Sequence, residues 1–91
     1  MYHLTATIEA THKDLDLVRS ELAKLVSLTR AEPQCLRFDV FENQKVPGEF
    51  VMWESWENEQ ALKDHFDQDH TKAFTDQNLT QLQQVVEMSP V

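Results

Sequence analysis

Hydrophobic and polar residues alternate strictly from residue 2 to residue 10 of the chain. The apolar positions of residues 2–10 are Tyr2, Leu4, Ala6, Ile8 and Ala10. Alternation with a period of two is typical of a strand that buries one face, so residues 2–10 are predicted to form a strand. The apolar period then lengthens, which indicates a change from strand to helix.

The second element has a helical pattern. Its apolar positions are Leu15, Val18, Leu22, Leu25 and Val26. Their period of about 3.6 residues predicts a helix over residues 13–32. Thr11 and Asp14 have the spacing of a helix N-cap pair. Pro33 should end the helix, because proline disfavours helical geometry in the residue before it.

The middle of the chain predicts two strands joined by a tight turn. Residues 35–43 and residues 49–57 are rich in aliphatic and aromatic side chains, as strands are. Between them, Pro47 is followed by Gly48, the only glycine of the chain. Proline and glycine in this order suit the two central positions of a type II turn. The two strands are therefore predicted to form a hairpin.

A broken helical segment is predicted after the hairpin. Asn58 is a candidate N-cap, and Leu62, His65 and Phe66 share one face of the helix that follows. Asp69 is a second candidate N-cap. Because a cap marks the start of a helix, the segment of residues 58–79 is predicted to be broken or bent.

The order of the predicted elements indicates the fold class. Residues 81–89 form the last predicted strand, with Leu82, Val86 and Met88 on one face. The order is strand, helix, strand, strand, helix, strand, which is the α+β ferredoxin-like βαββαβ arrangement: one antiparallel sheet with both helices on one face. Residues 1–91 are predicted to form a single domain.

The second and third strands are apolar on both sides, which predicts a homodimer. Leu36, Phe38 and Val40 alternate with positions that include Cys35 and Phe41. A sheet with one face in water would show a cleaner alternation. We therefore expect a second copy of the chain to cover the open face, sheet against sheet.

Composition excludes several classes of protein. Lys and Arg number 8 and Asp and Glu 16, which gives a formal net charge of -8. The basic residues do not cluster, so we expect no nucleic-acid partner and no membrane partner. No apolar run approaches the roughly 20 residues that span a bilayer. Cys35 is the only cysteine, and the start of the chain lacks a secretory pattern, so a cytoplasmic protein is expected.

Glu54 is the first candidate for chemistry. It lies between Met52 and Trp56 on one predicted strand face, where a carboxylate costs several kcal/mol unless it finds a partner or a proton. It either reaches solvent at the strand end or lines a pocket with a raised pKa. Trp56 either belongs to the hydrophobic core or forms an aromatic wall of that pocket.

Two histidines and an aspartate in the helical segment are candidate metal ligands. His65, Asp69 and His70 resemble a ligand set, but helical metal ligands usually recur at i and i+4, and the two histidines are five apart. We therefore predict no metal. His70 is either a positioned imidazole or a surface residue.

Two segments of the sequence resemble a known family. “EPQCLRFDVFENQ” and “FVMWESWENEQALKDHFDQDHTKAF” resemble the antibiotic biosynthesis monooxygenase superfamily, in particular its small quinol-monooxygenase-like members. The chain departs from the family at Gln34, where Gly is frequent, and at Asp69, where Pro is frequent. The resemblance implies a dimeric α+β barrel, a pocket between helices and sheet, and oxygenation without a cofactor.

This resemblance leads to a hypothesis about the site. His65 would take a proton from a quinol hydroxyl, and Glu54 would hold the imidazole or the hydroxyl. The residues expected to enclose or bind the aromatic substrate are Trp56, Phe38, Phe74, His70 and Arg37. The quinolate would then react directly with dioxygen, the second substrate.

Alternative functions remain open at this stage. One branch of the superfamily isomerises a phosphorylated quorum-sensing sugar derivative, and Arg37 and Lys72 are the cations near the motif that could bind a phosphate. A haem-degrading role has no obvious pocket signature. The third alternative is a dimer that binds a small aromatic compound without catalysis.

Overall fold

The computed structural model describes residues 1–91 as a four-stranded antiparallel sheet with a layer of helices. The elements are β1 (Tyr2–Ala10), α1 (Leu15–Arg30), β2 (Cys35–Glu42), β3 (Glu49–Trp56), α2 (Glu59–Phe66), α3 (Asp69–Thr75) and β4 (Thr80–Met88). The strand order β2-β3-β1-β4, with antiparallel neighbours throughout, confirms the predicted ferredoxin-like α+β fold. No helix combines the length and the apolar character needed to cross a bilayer.

Helix α1 packs one face against the sheet. Val18, Leu22 and Leu25 are buried on it and meet the buried side chains of β1. The Asp14 carboxylate accepts the N–H of Leu17 at 3.1 Å and is the N-cap. The Thr11 hydroxyl, the other half of the predicted cap pair, instead donates to a backbone oxygen in the loop before β4. The helix is therefore two residues shorter at each end than predicted.

The hairpin between β2 and β3 has the predicted turn. The Glu49 N–H donates to the Val46 carbonyl at 3.2 Å, and Gly48 has a φ of 87°, as a type II turn requires at its third position. Glu42 accepts the Gly48 N–H at 3.0 Å and two bonds from the Arg19 guanidinium, at 2.7 and 2.9 Å. This carboxylate therefore connects α1 to the hairpin.

Strand β4 corrects the predicted face assignment. Its register against β1 shifts between Thr7 and Ile8, so Ile8 lies opposite Leu82 while Thr5 lies opposite Val86. A bulge of this kind adds one residue to one strand and moves the following side chains to the other face. Leu82 therefore shares the helical side of the sheet with Val85, and the prediction that Leu82, Val86 and Met88 share a face is wrong.

The sheet face away from the helices carries exposed apolar side chains. Phe41, Val51, Trp53 and Val86 are between 37% and 57% exposed there. The molecule measures 36 × 31 × 17 Å, and its short dimension fits one sheet and one helical layer. Nothing in the chain itself covers this face.

Candidate active site

Two short helices separated by a break lie over the sheet. Asn58 caps α2 by accepting the N–H of Ala61 at 2.9 Å, as predicted. The predicted cap at Asp69 is wrong, because Gln68 is the N-cap of α3 and Asp69 is its first helical residue. Gln68 has extended backbone geometry (φ -69°, ψ 144°), so the chain changes direction there. The predicted break in the helical segment is confirmed.

A cavity of about 410 Å³ lies between the sheet and helices α2 and α3. Its wall is largely apolar, and its ionisable lining groups are Glu54 from β3 and His65 from α2. The remaining lining residues are Leu4, Ala6, Ile8, Leu25, Met52, Leu62, Phe66, Thr71, Phe74, Thr75, Thr80, Leu82 and Val85. A pocket of this size and character suits a small organic ligand.

Glu54 is a buried carboxyl with one partner. Only 5% of the residue is exposed, and Oε1 accepts the indole N–H of Trp56 at 3.0 Å. Burial raises the pKa of Glu54 to about 7; the Trp56 hydrogen bond opposes this rise, and the negative charge of Glu32 adds to it. Glu54 can therefore exchange a proton close to neutral pH.

His65 is buried among aromatic rings. Its ring centroid lies 4.9 Å from that of Trp56 and 5.6 Å from that of Phe38, and 4% of the residue is exposed. Burial lowers the pKa of His65, while the hydrogen bond and charge of Glu32 oppose the shift. The imidazole is thus favoured in its neutral form, which is able to accept a proton.

Glu32 determines which nitrogen of His65 accepts that proton. Glu32 Oε2 lies 2.7 Å from His65 Nδ1 and 2.8 Å from His70 Nε2. A carboxylate can only accept hydrogen bonds, so each imidazole donates an N–H to it. With its proton on Nδ1, neutral His65 keeps the lone pair of Nε2 free.

One ring nitrogen of His65 has no hydrogen-bond partner in the chain. The bonds of the ring involve Nδ1, so Nε2 is free. The His65 ring also lines the cavity. This is the arrangement of a general base held in one tautomer by a carboxylate.

The predicted site residues divide into two groups. Glu54, His65 and Phe74 line the cavity. Trp56 and Phe38 are completely buried and pack behind His65, so the expectation that they form the pocket wall needs correction. The packing of Trp56 and Phe38 fixes the orientation of the His65 ring, because a buried ring has no room to rotate.

Arg37 and His70 are not in the cavity wall either. Arg37 lies on the opposite face of the sheet, where its guanidinium stacks 4.3 Å from the ring centroid of Trp53 and pairs with Asp39 at 2.9 Å. His70 Nε2 donates to Glu32, the carboxylate that also holds His65 Nδ1, and His70 is not a lining residue of the cavity. Both expectations of direct substrate contact are therefore corrected.

Sequence analysis missed Glu32. It follows the C-terminus of α1, and its side chain is 9% exposed. It contacts His65 and His70, which lie 33 and 38 positions further along the chain. The expectation that Glu54 holds the imidazole is corrected accordingly, since Glu32 does so. The only local signal was an acidic residue directly before Pro33, at the last position of the predicted helix.

Comparisons with known proteins agree with this architecture. The sequence model of the family described as “Antibiotic biosynthesis monooxygenase” matches residues 1–77. The Bacillus subtilis (strain 168) protein named “Uncharacterized protein YjcS” is 33% identical over 84 residues, which are 91% of this chain and 80% of that protein. A solved structure of protein YJCS has a TM-score of 0.91 at 30% identity, covering 99% of this chain and 98% of that chain. A crystal structure of an antibiotic biosynthesis monooxygenase has a TM-score of 0.89 at 32% identity, covering 100% and 99%.

Proposed function

Because the chain belongs to the antibiotic biosynthesis monooxygenase family, we propose that it is a cofactor-independent monooxygenase that oxidises a quinol or another small phenol with dioxygen. The observation that carries the proposal is the imidazole of His65, held by Glu32 beside an apolar cavity that also contains Glu54. Proton removal from an aromatic hydroxyl is the chemistry that this set of groups supports best.

The cavity lining favours an uncharged aromatic substrate. Phe66 and Phe74 offer ring faces, and most of the remaining wall is aliphatic. Burial of a flat apolar ring against such a wall is favourable by roughly 25 cal/mol for each Å² removed from water. Glu54 and His65 then supply the polar contacts that orient a hydroxyl.

The two ionisable groups have complementary roles in this proposal. A phenol ionises near pH 10, so a neutral imidazole is a weak base for it unless the anion is stabilised. Glu54 has a pKa of about 7, so it carries a proton in about half of the molecules at that pH. Protonated Glu54 can donate a hydrogen bond to the oxygen of the developing anion, which lowers the barrier to proton transfer.

The overall reaction balances without an added reductant. His65 Nε2 takes the proton of one hydroxyl, and the quinolate transfers an electron to dioxygen. The resulting pair of radicals forms a carbon–oxygen bond and hence a peroxide. His65 returns its proton to the peroxide, and loss of the C–H proton from the oxygenated ring carbon then cleaves the O–O bond: that carbon becomes a carbonyl, and the departing hydroxide and this proton form water. The product is a hydroxyquinone, and the quinol supplies both electrons that reduce the second oxygen atom.

The phosphorylated-sugar isomerase fits this cavity less well. No Lys or Arg lines the cavity, and Arg37 lies on the opposite sheet face. A phosphate buried without a cation would carry an uncompensated charge. The non-catalytic binder has no such conflict, and it is separated from the monooxygenase by measuring turnover.

The homodimer is part of the proposal. Its support is the exposed apolar set on the open sheet face, Phe41, Val51, Trp53 and Val86. A monomer that left this set in water would lose the stabilisation of its burial. The proposed partner is a second copy of the chain, packed sheet to sheet.

Oxygen uptake with a panel of hydroquinones tests the proposed function. We expect turnover by the native protein, and a fall of about 10²–10⁴-fold in kcat for His65→Ala if His65 is the general base. His12→Ala changes an exposed histidine and is the matched control. Binding of the hydroquinones without any oxygen uptake would replace the monooxygenase with the non-catalytic binder.

Nitrogen NMR of His65 tests the role of Glu32 independently of activity. In the native protein the ¹⁵N shifts should show Nδ1 protonated and Nε2 unprotonated. Glu32→Gln, whose amide can donate to Nδ1, should mix the tautomers and lower kcat by about 10–100-fold. An unchanged tautomer with lowered activity would contradict a positioning role for Glu32.

A further inference from the structure

We propose that Glu32, His65 and His70 form a binding site for one divalent transition-metal ion of the zinc type. The three candidate ligand atoms are Glu32 Oε2, His65 Nδ1 and His70 Nε2, and they lie within 4.8 Å of one another. Two imidazoles and one carboxylate are a ligand set that zinc and other first-row divalent ions accept, with further positions left for water.

The carboxylate and the imidazoles have to shift to admit an ion. Glu32 Oε2 lies 2.7 Å from one nitrogen and 2.8 Å from the other, and the two nitrogens lie within 4.8 Å of each other. Bonds of about 2.0–2.2 Å in tetrahedral or octahedral geometry place neighbouring ligand atoms about 2.8–3.6 Å apart. The carboxylate therefore has to withdraw by roughly 0.5 Å and the two nitrogens have to come within this range, which rotations about the side-chain bonds can supply.

The helix break explains why the two histidines converge. On one continuous helix, residues five apart point about 140° away from each other, because each residue turns the helix by about 100°. Here α2 ends at Phe66 and α3 begins at Asp69, with extended backbone at Gln68. The change of direction brings His70 back to the carboxylate that His65 contacts. Spacing alone therefore gave a misleading argument against a metal.

The charge balance of the cluster also favours a cation. The side chains of Glu32, His65 and His70 are 9%, 4% and 17% exposed, and the salt-bridge partners of Glu32 are these two histidines. A buried carboxylate that faces two imidazoles and no Lys or Arg lacks a permanent positive partner. A divalent ion would supply that charge, and the Thr71 hydroxyl, 3.3 Å from His65 Nδ1, is placed nearby.

Metal binding would change the protonation of His65 Nε2, the ring nitrogen without a partner in the chain. A neutral imidazole carries one N–H, so a metal on Nδ1 leaves the proton on Nε2. That nitrogen would then donate a hydrogen bond and could no longer accept a proton. This consequence rests on the proposed function: an ion bound to His65 Nδ1 would inhibit the monooxygenase reaction, because Nε2 would carry the proton and could not act as the base.

Calorimetric titration of chelator-treated protein with Zn²⁺ tests the site. We expect one Zn²⁺ per chain for the native protein. His70→Gln should weaken binding by at least about 100-fold, since loss of a group that merely supports a ligand already costs 10–100-fold. The glutamine amide can still donate to Glu32, so this variant preserves the hydrogen bond and tests the ligand alone.

The control is His12→Gln, which makes the same change at an exposed histidine and should leave the affinity unchanged. Absence of Zn²⁺ binding by the native protein, equal binding by His70→Gln, or equal loss in His12→Gln would each overturn the site. Oxygen uptake with and without Zn²⁺ is measured separately. A bound ion without inhibition would reject the link to catalysis. Absence of any hydroquinone turnover would reject the proposed function, and calorimetry alone would then decide whether the metal site exists.

Discussion

Glu54 illustrates how a single buried carboxyl can couple stability to pH. The folded protein holds its pKa near 7, against 4.5 for an unperturbed glutamate, chiefly because burial disfavours the charged form. The folded state therefore binds this proton more tightly than the unfolded state. The contribution of Glu54 to stability is complete below pH 4.5 and is lost as the pH rises to about 7.

Glu54→Gln is predicted to remove this pH dependence. The amide stays neutral and can still accept the Trp56 N–H, so the variant should gain stability relative to the native protein between pH 4.5 and 7, by on the order of 3 kcal/mol, since each pKa unit corresponds to about 1.4 kcal/mol. Urea unfolding at several pH values measures the difference. Glu57→Gln removes a charge at an exposed position and is the control. A stability difference that is constant with pH would contradict the raised pKa.

At the same scale, sequence analysis named Glu54 and His65, which line the cavity, but did not name Glu32. The first two lie on elements whose apolar pattern shows which face is buried, so a polar residue on that face can be recognised. Glu32 was expected at the last position of the predicted helix, whereas α1 ends at Arg30 and Glu32 lies in the loop that follows. Its burial results from contacts with α2 and α3, which only the three-dimensional fold brings close.

Most helices and strands could be predicted from the sequence, because each has a clear hydrophobic period and clear ends. The predicted limits of β1 match the structure, and those of α1 differ by two residues at each end. The errors lie where a single residue changes the geometry: the bulge opposite Ile8 in β4 and the cap at Gln68. Neither position has a composition that distinguishes it from its neighbours, because a bulge depends on the register with the partner strand.

Helix α2 depends on its cap more than a long helix would. It has 8 residues, and an isolated helix of that length is unstable in water. We predict that Asn58→Ala, which leaves the Ala61 N–H without its partner, destabilises the protein by about 1 kcal/mol. Because α2 carries His65, the substitution should also lower oxygen uptake.

Asn58→Asp is the matched control, since it keeps an oxygen in the same place and should retain stability within about 0.5 kcal/mol. Urea unfolding and oxygen uptake are measured on the same samples. Equal stability of the alanine and aspartate variants would mean that the cap does not hold α2, and that packing of Ala61 and His65 against the sheet suffices.

On the scale of the whole molecule, β4 is the least protected element. It lies at the edge of the sheet, and Leu82, Val85 and Val86 are between 43% and 59% exposed, on both of its faces. Leu82 and Val85 also line the cavity, so its wall is exposed at this edge. An apolar edge strand is normally covered or paired. Association of two copies sheet to sheet would cover Val86, whereas Leu82 and Val85 stay on the helical side of the sheet with the cavity.

Trp53→Glu should therefore convert a homodimer into a monomer. Trp53 is 42% exposed at the centre of the open sheet face, and a carboxylate there would be buried without compensation in the dimer. In the monomer the same carboxylate can pair with Arg37, which now stacks on the indole, so folding should survive. Leu28→Glu is the control, because Leu28 is 45% exposed on α1, in the helical layer.

Sedimentation at micromolar concentration and thermal unfolding at several protein concentrations distinguish the two states. The melting temperature of the native protein and of Leu28→Glu should rise with concentration, because mass action stabilises an associating fold, whereas that of Trp53→Glu should not. Oxygen uptake by the monomeric variant should be retained, because the cavity lies on the helical side of the sheet and His65, Glu32 and Glu54 are intact. A native protein that sediments as a monomer would contradict the dimer, and a loss of activity in monomeric Trp53→Glu would show that the second chain contributes to the cavity.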